Sequence, residues 1–270
     1  MPELPEVETT RLGLLASVVG RRIRDVVVRE PRLRWPVPRD LAARLRGVEV
    51  SAIRRRGKYL LFDCGTGHLL VHLGMSGSLT VVPPGRPVRR HDHVDLALDS
   101  GDIVRLNDPR RFGAVLWVRD PDRHALLAGM GAEPLDEAFG GAYLYHASRG
   151  RRIAVKQFLM DARVVTGIGN IYANESLFAA RIRPSRPAGR ISRSRYDGLA
   201  LEVRATLTRA LAAGGSTLRD FVGSNGEPGY FQLEYAVYGR GGEPCPACGT
   251  PVRASRHAGR STFHCPSCQR

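Results

Sequence analysis

Four cysteines near the C-terminus constrain this chain more tightly than any other feature. Cys245 and Cys248 form one C-x2-C pair, Cys265 and Cys268 form a second, and sixteen residues separate the pairs. Each pair lies in a turn-forming stretch, Cys245-Pro-Ala-Cys-Gly and Cys265-Pro-Ser-Cys, so four thiolates can converge tetrahedrally on one Zn2+ with sulfur at about 2.3 Å. A four-sulfur site has no open position. The zinc is therefore expected to be structural, stabilising a tail too short to hold a core alone. The competing reading is a redox or disulfide pair. Neither a secretory signal nor an apolar run of membrane-spanning length is evident, which predicts a soluble, intracellular chain in which disulfides are disfavoured. The fifth cysteine, Cys64, ends a strand-like run and reads as a small buried hydrophobe.

Ahead of that tail, hydrophobic periodicity changes once. Leu4, Val7, Leu14, Leu15 and Val18 share a helical face before Gly20. Short apolar segments follow at 22–29, 47–55, 59–63, 68–73, 78–82, 93–98, 102–106 and 114–118, a pattern that predicts an antiparallel β-sandwich. Pro83-Pro84-Gly85-Arg86-Pro87 is a loop on any reading. Gly131-Ala132-Glu133-Pro134 breaks the strand series, and helical periods run from there to about 213. Tyr196, Leu199, Val203, Leu207, Ala210 and Leu211 step by three and four until Gly214-Gly215 ends that helix. A 270-residue chain suits two domains or three small modules. The fold class is thus α+β: an N-terminal helix with an eight-stranded sandwich over 1–131, a helical domain and Gly-containing loop over 132–235, and a zinc hairpin over 236–270.

Charge points to the partner. Lys+Arg number 41 against 26 Asp+Glu, a net charge of +15, and such a field attracts polyanions, nucleic acid first among them. Only Lys58 and Lys156 are lysines, so 39 of the 41 are arginines; lysine in such a chain suggests a place for an amine that can lose its proton, or for a compact point charge. Arg253, Arg256, His257 and Arg260 lie between the two thiol pairs, where a metal-held hairpin would present them to phosphates. Gly167-Ile-Gly169-Asn170 precedes a helix over 171–180, following one over 155–162. Backbone N–H groups there, with the Asn170 amide, make a phosphate site, while the plainer reading has Asn170 as an N-cap. At the other end, Met1-Pro2-Glu3-Leu4-Pro5-Glu6 looks like a helix start. Removal of Met1 would leave Pro2 as a secondary amine able to attack an electrophilic carbon, with Glu3 beside it as a proton carrier. Charge, zinc and Asn170 would suit a noncatalytic DNA-binding zinc protein equally well; Pro2-Glu3 together with Lys58 favours an enzyme.

Seven segments in order resemble the formamidopyrimidine-DNA glycosylase / endonuclease VIII family: Pro2-Glu-Leu-Pro-Glu-Val, Arg56-Gly-Lys58-Tyr-Leu, His72-Leu-Gly-Met75-Ser-Gly, Asp108-Pro-Arg110-Arg-Phe112-Gly, Gly167-Ile-Gly-Asn-Ile-Tyr172, Gly215-Ser-Thr-Leu-Arg-Asp-Phe221 and the zinc tail. Leu4 points to the branch that removes oxidised purines, because the endonuclease VIII branch, which favours oxidised pyrimidines, tends to have Gly there. Asn174 and Asn225 stand where the family commonly has Asp. The resemblance implies a helix-two-turn-helix domain and a bifunctional glycosylase and lyase. In that scheme Pro2 attacks C1′ of the damaged nucleotide, Glu3 assists ring opening, Lys58 contacts phosphate or donates a proton, and Arg260 holds the phosphates flanking the lesion. It also implies that Met75, Arg110 and Phe112 fill the void left by the extruded base, and that His91, Arg151 and Asn170 contact DNA. Lys156 would lie near the lesion and the 216–230 loop would close over the base. The expected partner is damaged double-stranded DNA, bound by a monomer in the bacterial cytoplasm, associated with the nucleoid through DNA.

Overall fold

The computed structural model describes residues 2–216 and 230–270. The chain divides into two compact units: 1–128 with 213–230, and 129–212 with 231–270. The helical stretch and the zinc tail thus share one unit, and the connection after the last long helix belongs with the first.

In the first unit, helix α1 (Leu4–Val18) starts with Pro5 in its first turn and buries Leu4, Val7, Leu14 and Val18. Eight strands follow: β1 (Ile23–Val28), β2 (Ala52–Arg56), β3 (Tyr59–Asp63), β4 (His68–His72), β5 (Ser78–Val82), β6 (Asp92–Leu98), β7 (Ile103–Asn107) and β8 (Ala114–Val118). They pair antiparallel in two four-stranded sheets of order β1-β6-β7-β5 and β2-β3-β4-β8. Val26, Leu96 and Val104 from one sheet and Leu60, Phe62, Leu69 and Val71 from the other join Leu14 and Val18 of α1 in one core. Truncating a fully buried leucine such as Leu14 to alanine would cost about 2–5 kcal/mol. Two details differ from expectation. The apolar segment at 47–55 becomes a strand only from Ala52, because Val48 and Val50 direct their N–H groups outside the sheet of β2, to the carbonyls of Leu45 and Arg21. A short helix, α2 (Leu41–Leu45), was not foreseen; its five residues bury only Leu41 and Leu45, too short a pattern to carry a period.

The second unit contains α3 (Gly141–Ser148), α4 (Val155–Leu159), α5 (Asn170–Ala179) and α6 (Arg193–Ala212). Helix α6 packs on α3 and α5 through the stripe of Tyr196, Leu199, Val203, Leu207 and Ala210, all buried. Helix α4 stops at Leu159 rather than 162, since Asp161 turns back: its backbone carbonyl accepts from Val164 and Val165, and its carboxylate accepts from Arg163. The tail forms the hairpin β9 (Arg253–His257) and β10 (Arg260–His264), joined by Ala258-Gly259 with φ of 47° and 76°, the pair of positive angles a type I′ turn requires. Among the described residues no helix is long and apolar enough to cross a membrane.

Candidate active site and nucleic-acid interface

The N-terminal candidate residues are built into the first unit. Pro2 is buried and Glu3 is only 1% exposed. Glu6, one helical turn on, ties this end down with both carboxylate oxygens: Oε2 accepts from the Glu3 N–H at 2.8 Å and Oε1 from the Ser216 N–H at 2.8 Å. Such an i, i+3 contact at a helix start satisfies a donor that the first turn leaves without a partner. Gly215 precedes Ser216 with φ +81°, and a Cβ there would lie 3.1 Å from Glu6 Oε1. Ser216 is the first residue of the expected lesion loop, and residues 217–229, with Phe221 and Asn225, lie outside the described residues.

Lys58 sits half-buried in the two-residue turn between β2 and β3. The next residue, Tyr59, is paired across the sheet with His72, and their rings lie 4.7 Å apart. Burial, and then the nearby Lys58 and Arg34 cations, push the His72 imidazole down to about 4; it is neutral, and Nδ1 accepts from the Gly74 N–H at 3.0 Å. Met75 follows in the turn between β4 and β5 and is 37% exposed; Phe112, before β8, is 43% exposed. Neither is a core residue. The Arg110 guanidinium lies over the Phe112 ring, Cζ to centroid 4.7 Å, a cation–π contact that orients both side chains. Asp108 holds this turn: Oδ2 accepts from the Gly113 N–H at 2.7 Å, and the backbone carbonyl is 2.8 Å from His93 Nε2. His91, in the left-handed region at φ 75°, gives its carbonyl to the Asp108 N–H at 3.0 Å.

In the second unit, α5 begins at Asn170 with Gly169 as its cap, so the N-cap reading of Asn170 is corrected: its side chain caps nothing, and Oδ1 has no hydrogen-bond partner among the described residues. Asn174 bridges away from it, donating Nδ2 to the Asn170 carbonyl at 2.6 Å and accepting the Phe263 N–H of β10 at 2.9 Å. Glu175, also buried, accepts from the N–H groups of Ala236, Val237 and Tyr238 at 2.9, 3.0 and 2.7 Å; burial nevertheless pushes its carboxyl above the usual range. Arg151 is exposed, its Cζ 5.6 Å from the Phe158 ring centroid. Lys156 is 3% exposed and donates Nζ to the Ser261 carbonyl at 2.7 Å and to Thr262 Oγ1 at 2.8 Å. Two of its three protons therefore hold β10, whose first residue is the exposed Arg260. A cavity of about 240 Å³ opens beside them, lined by Lys156, Asp161, His257 and Arg260 among others.

The four tail cysteines fit one structural Zn2+. Their sulfurs all lie within 4.8 Å of one another, with Cys245–Cys268 at 3.9 Å and Cys248–Cys265 at 3.5 Å, against about 3.8 Å between ligands of a tetrahedron with 2.3 Å bonds. These separations are far beyond a disulfide's ~2.05 Å. Hydrogen bonding with Thr250 draws Cys248 down to about 6, whereas the neighbouring Cys248 sulfur and burial push Cys268 up to about 12. Four thiolates so close together need a cation. Cys64, in contrast, is buried in the sandwich core and raised to about 11 by burial, an inert setting.

Three family models match in sequence order: the formamidopyrimidine-DNA glycosylase N-terminal domain over residues 1–115, the formamidopyrimidine-DNA glycosylase H2TH domain over 130–222, and the zinc finger found in FPG and IleRS over 242–270. The formamidopyrimidine-DNA glycosylase of Methylococcus capsulatus is 55% identical over the full length of both chains, and that of Thioalkalivibrio sulfidiphilus 57%. This chain belongs to the formamidopyrimidine-DNA glycosylase family. The same fold occurs in the MutM (FPG) protein of Thermus thermophilus, at a TM-score of 0.88 and 41% identity over 99% of this chain and 98% of that one. It also matches a Lactococcus lactis FPG mutant in complex with Fapy-dG-containing DNA, at 0.92 and 32% over all of both chains.

For a formamidopyrimidine-DNA glycosylase chain, the contacts that sequence reasoning missed are the supporting ones: Glu6, His72, Asp108, Asn174 and Glu175. Glu6 was foreshadowed by its i, i+3 spacing from Glu3 at a helix start. Asn174 and Glu175 were foreshadowed as polar residues inside an otherwise apolar helix. His72 and Asp108 each bond within their own turn, to the Gly74 and Gly113 N–H groups, but their further partners, Tyr59 and His93, arrive from other strands and leave no local signal.

Proposed function

We propose that this member of the formamidopyrimidine-DNA glycosylase family excises oxidised purines, 8-oxoguanine and formamidopyrimidines, from double-stranded DNA through a Schiff base at Pro2. It acts as a monomeric base-excision-repair glycosylase and lyase, in the cytoplasm at the nucleoid. The observation that carries the reading is the fixed N-terminus: a buried Pro2 with Glu3 secured by the Glu6 carboxylate, where a mere chain end would fray.

With Met1 removed, the Pro2 nitrogen lone pair forms a bond to C1′ and the damaged base leaves with the glycosidic electron pair. The proton shed by the Pro2 nitrogen passes through Glu3 to O4′ as the nitrogen pair opens the sugar ring, leaving an iminium between Pro2 and C1′. Loss of a C2′ proton expels the 3′ phosphate and a further elimination expels the 5′ phosphate; water then releases the sugar remnant and restores the amine. Arg260 holds the flanking phosphates, and Lys58 contacts phosphate and supplies a proton. His91, Arg151 and Asn170 bind the DNA backbone, while Met75, Arg110 and Phe112 occupy the space of the extruded base. Lys156 contributes to lesion recognition through the hairpin it grips. Zinc at Cys245, Cys248, Cys265 and Cys268 supplies a frame and no reacting position.

Borohydride trapping on a duplex containing 8-oxoguanine opposite cytosine tests the reading. A processed chain starting at Pro2 should give a covalent adduct and cut ends bearing phosphate on both sides. A verified Met1-retaining chain, whose Pro2 nitrogen is a tertiary amide, should bind DNA without trapping. Equal trapping by both would overturn the Pro2 assignment.

A further inference from the structure

Met75 and the Arg110–Phe112 pair come from different turns, yet the backbone joins those turns. Strands β4 and β8 are neighbours, with His72 opposite Ala114, so the turn leaving β4 and the turn entering β8 emerge side by side. They touch at Gly74. A Cβ there would fall 2.6 Å from Gly113 N, 2.6 Å from the Phe112 carbonyl carbon and 2.9 Å from its oxygen. These are backbone atoms, which cannot swing aside as a flexible side chain would, and φ at Gly74 is +65°, a region L-residues rarely adopt. The contact is reciprocal. A Cβ on Gly113 would lie 2.7 Å from the His72 carbonyl oxygen and 2.9 Å from Asp108 Oδ2.

Hydrogen bonds lock each side. The neutral His72 ring accepts the Gly74 N–H at 3.0 Å, and Gly77 N–H closes the same turn onto the Leu73 carbonyl at 2.9 Å. Across the contact, Asp108 accepts the Gly113 N–H at 2.7 Å, and its own carbonyl accepts the Arg111 N–H at 3.2 Å. The Arg110–Phe112 cation–π contact completes the second arm.

We propose that Gly74 and Gly113 are positioning residues that fuse the two turns into one preassembled probe, so that Met75, Arg110 and Phe112 enter the DNA stack together rather than as independent side chains. The proposal rests on the void-filling reading given above. It makes Gly74→Ala a probe mutation: the added methyl pushes the turns apart without removing charge or any of the three inserting side chains. A displacement of about 1 Å in such an assembly is enough to cost on the order of 10²-fold in rate.

The test compares wild type, Gly74→Ala, Gly113→Ala, Met75→Ala, Phe112→Ala and the double variants Gly74→Ala/Met75→Ala and Gly74→Ala/Phe112→Ala. Two substrates are used: an 8-oxoguanine:cytosine duplex, which needs a base extruded, and a single-stranded oligonucleotide with an abasic site, which has no stack to refill. Gly74→Ala and Gly113→Ala should each lose duplex excision on the order of 10²-fold while still trapping the single-stranded abasic site with borohydride as wild type does. In the double variants the second substitution should add less than about twofold, the mark of residues acting as one unit. Full multiplication of the single effects would overturn the proposal, as would wild-type excision by Gly74→Ala. Loss of single-stranded trapping by both glycine variants would overturn it too, because the glycines would then support the fold rather than the probe. Failure of the underlying reading is seen separately: Met75→Ala and Phe112→Ala would excise normally, or wild type would trap neither substrate.

Discussion

His72 can hold its turn only while uncharged, and that imposes a pH limit on the molecule. The unfolded side chain takes a proton near 6.5, whereas burial in the folded protein delays protonation to about 4. Between those values the unfolded state binds more protons than the native one, so stability falls as pH falls. Between pH 7.5 and 5 the loss from this one group is about 2 kcal/mol. Urea unfolding at the two pH values should show it, and His72→Asn, which lacks the titration, should be destabilised less relative to wild type at pH 5 than at 7.5. An unchanged gap would mean that His72 titrates normally. Residue-scale features of this kind are the least legible from sequence. Pro2 and Glu3 stand out because a helix start rarely needs both, but His72 owes its state to Tyr59, Lys58 and Arg34, which other segments deliver.

Helices and strands were legible wherever a period had room to repeat. The stripe from Tyr196 to Ala210 reads directly as α6, and short apolar runs of about five residues, bounded by turn residues, were enough for most strands. Where an element is short, contacts from elsewhere decide: α2 escaped notice, and β2 starts five residues late because Val48 and Val50 bond to the carbonyls of Leu45 and Arg21. The hairpin β9–β10 has almost no core of its own, sharing only Val237, Cys245, Val252 and Cys265 with a few half-buried neighbours. Three external devices hold it: the zinc, Lys156, and Asn174, whose Oδ1 accepts the Phe263 N–H. Lys156→Met keeps the buried stem but abandons the half-buried bond to the Ser261 carbonyl and the buried Thr262 hydroxyl, and leaving the latter without its partner costs about 1–3 kcal/mol. We expect faster zinc release to a chelator and weaker DNA binding, with α-helical circular dichroism unchanged. A zinc-release rate equal to wild type would show that the amine contributes nothing to the hairpin. Full chelation should go further, unfolding the tail and weakening DNA binding before any bond is broken.

Taken whole, the molecule is a polycation. A net charge of +15 drives association with DNA through counterion release, which is indifferent to sequence and steeply dependent on salt. Arg260→Ala should therefore weaken binding to damaged and plain duplex alike and reduce the slope of log affinity against log salt by about one. Met75→Ala removes no charge; its deficit should appear on lesion DNA alone, with the plain-duplex slope intact. Titrations of both variants on both duplexes give the answer, and an altered plain-duplex slope for Met75→Ala would place that residue in the general binding surface instead. The boundary expected near 131 rests on a change of hydrophobic period, whereas the structure's compact units are 1–128 with 213–230 and 129–212 with 231–270; only spatial packing reveals which body a connecting segment joins.

The near-absence of lysine has a practical side. Lys156 is sealed, its Nζ engaged by Ser261 and Thr262 at 3% exposure, while Lys58 stands half-buried in a hairpin turn. Once Met1 is gone, the chain end is a proline, whose nitrogen is secondary. An activated ester consequently meets one partly exposed lysine, Lys58, in 270 residues, and acylation there removes the charge that the proposed function sets against phosphate, so labelling at the turn before Tyr59 reports on that role without any zinc ligand being disturbed.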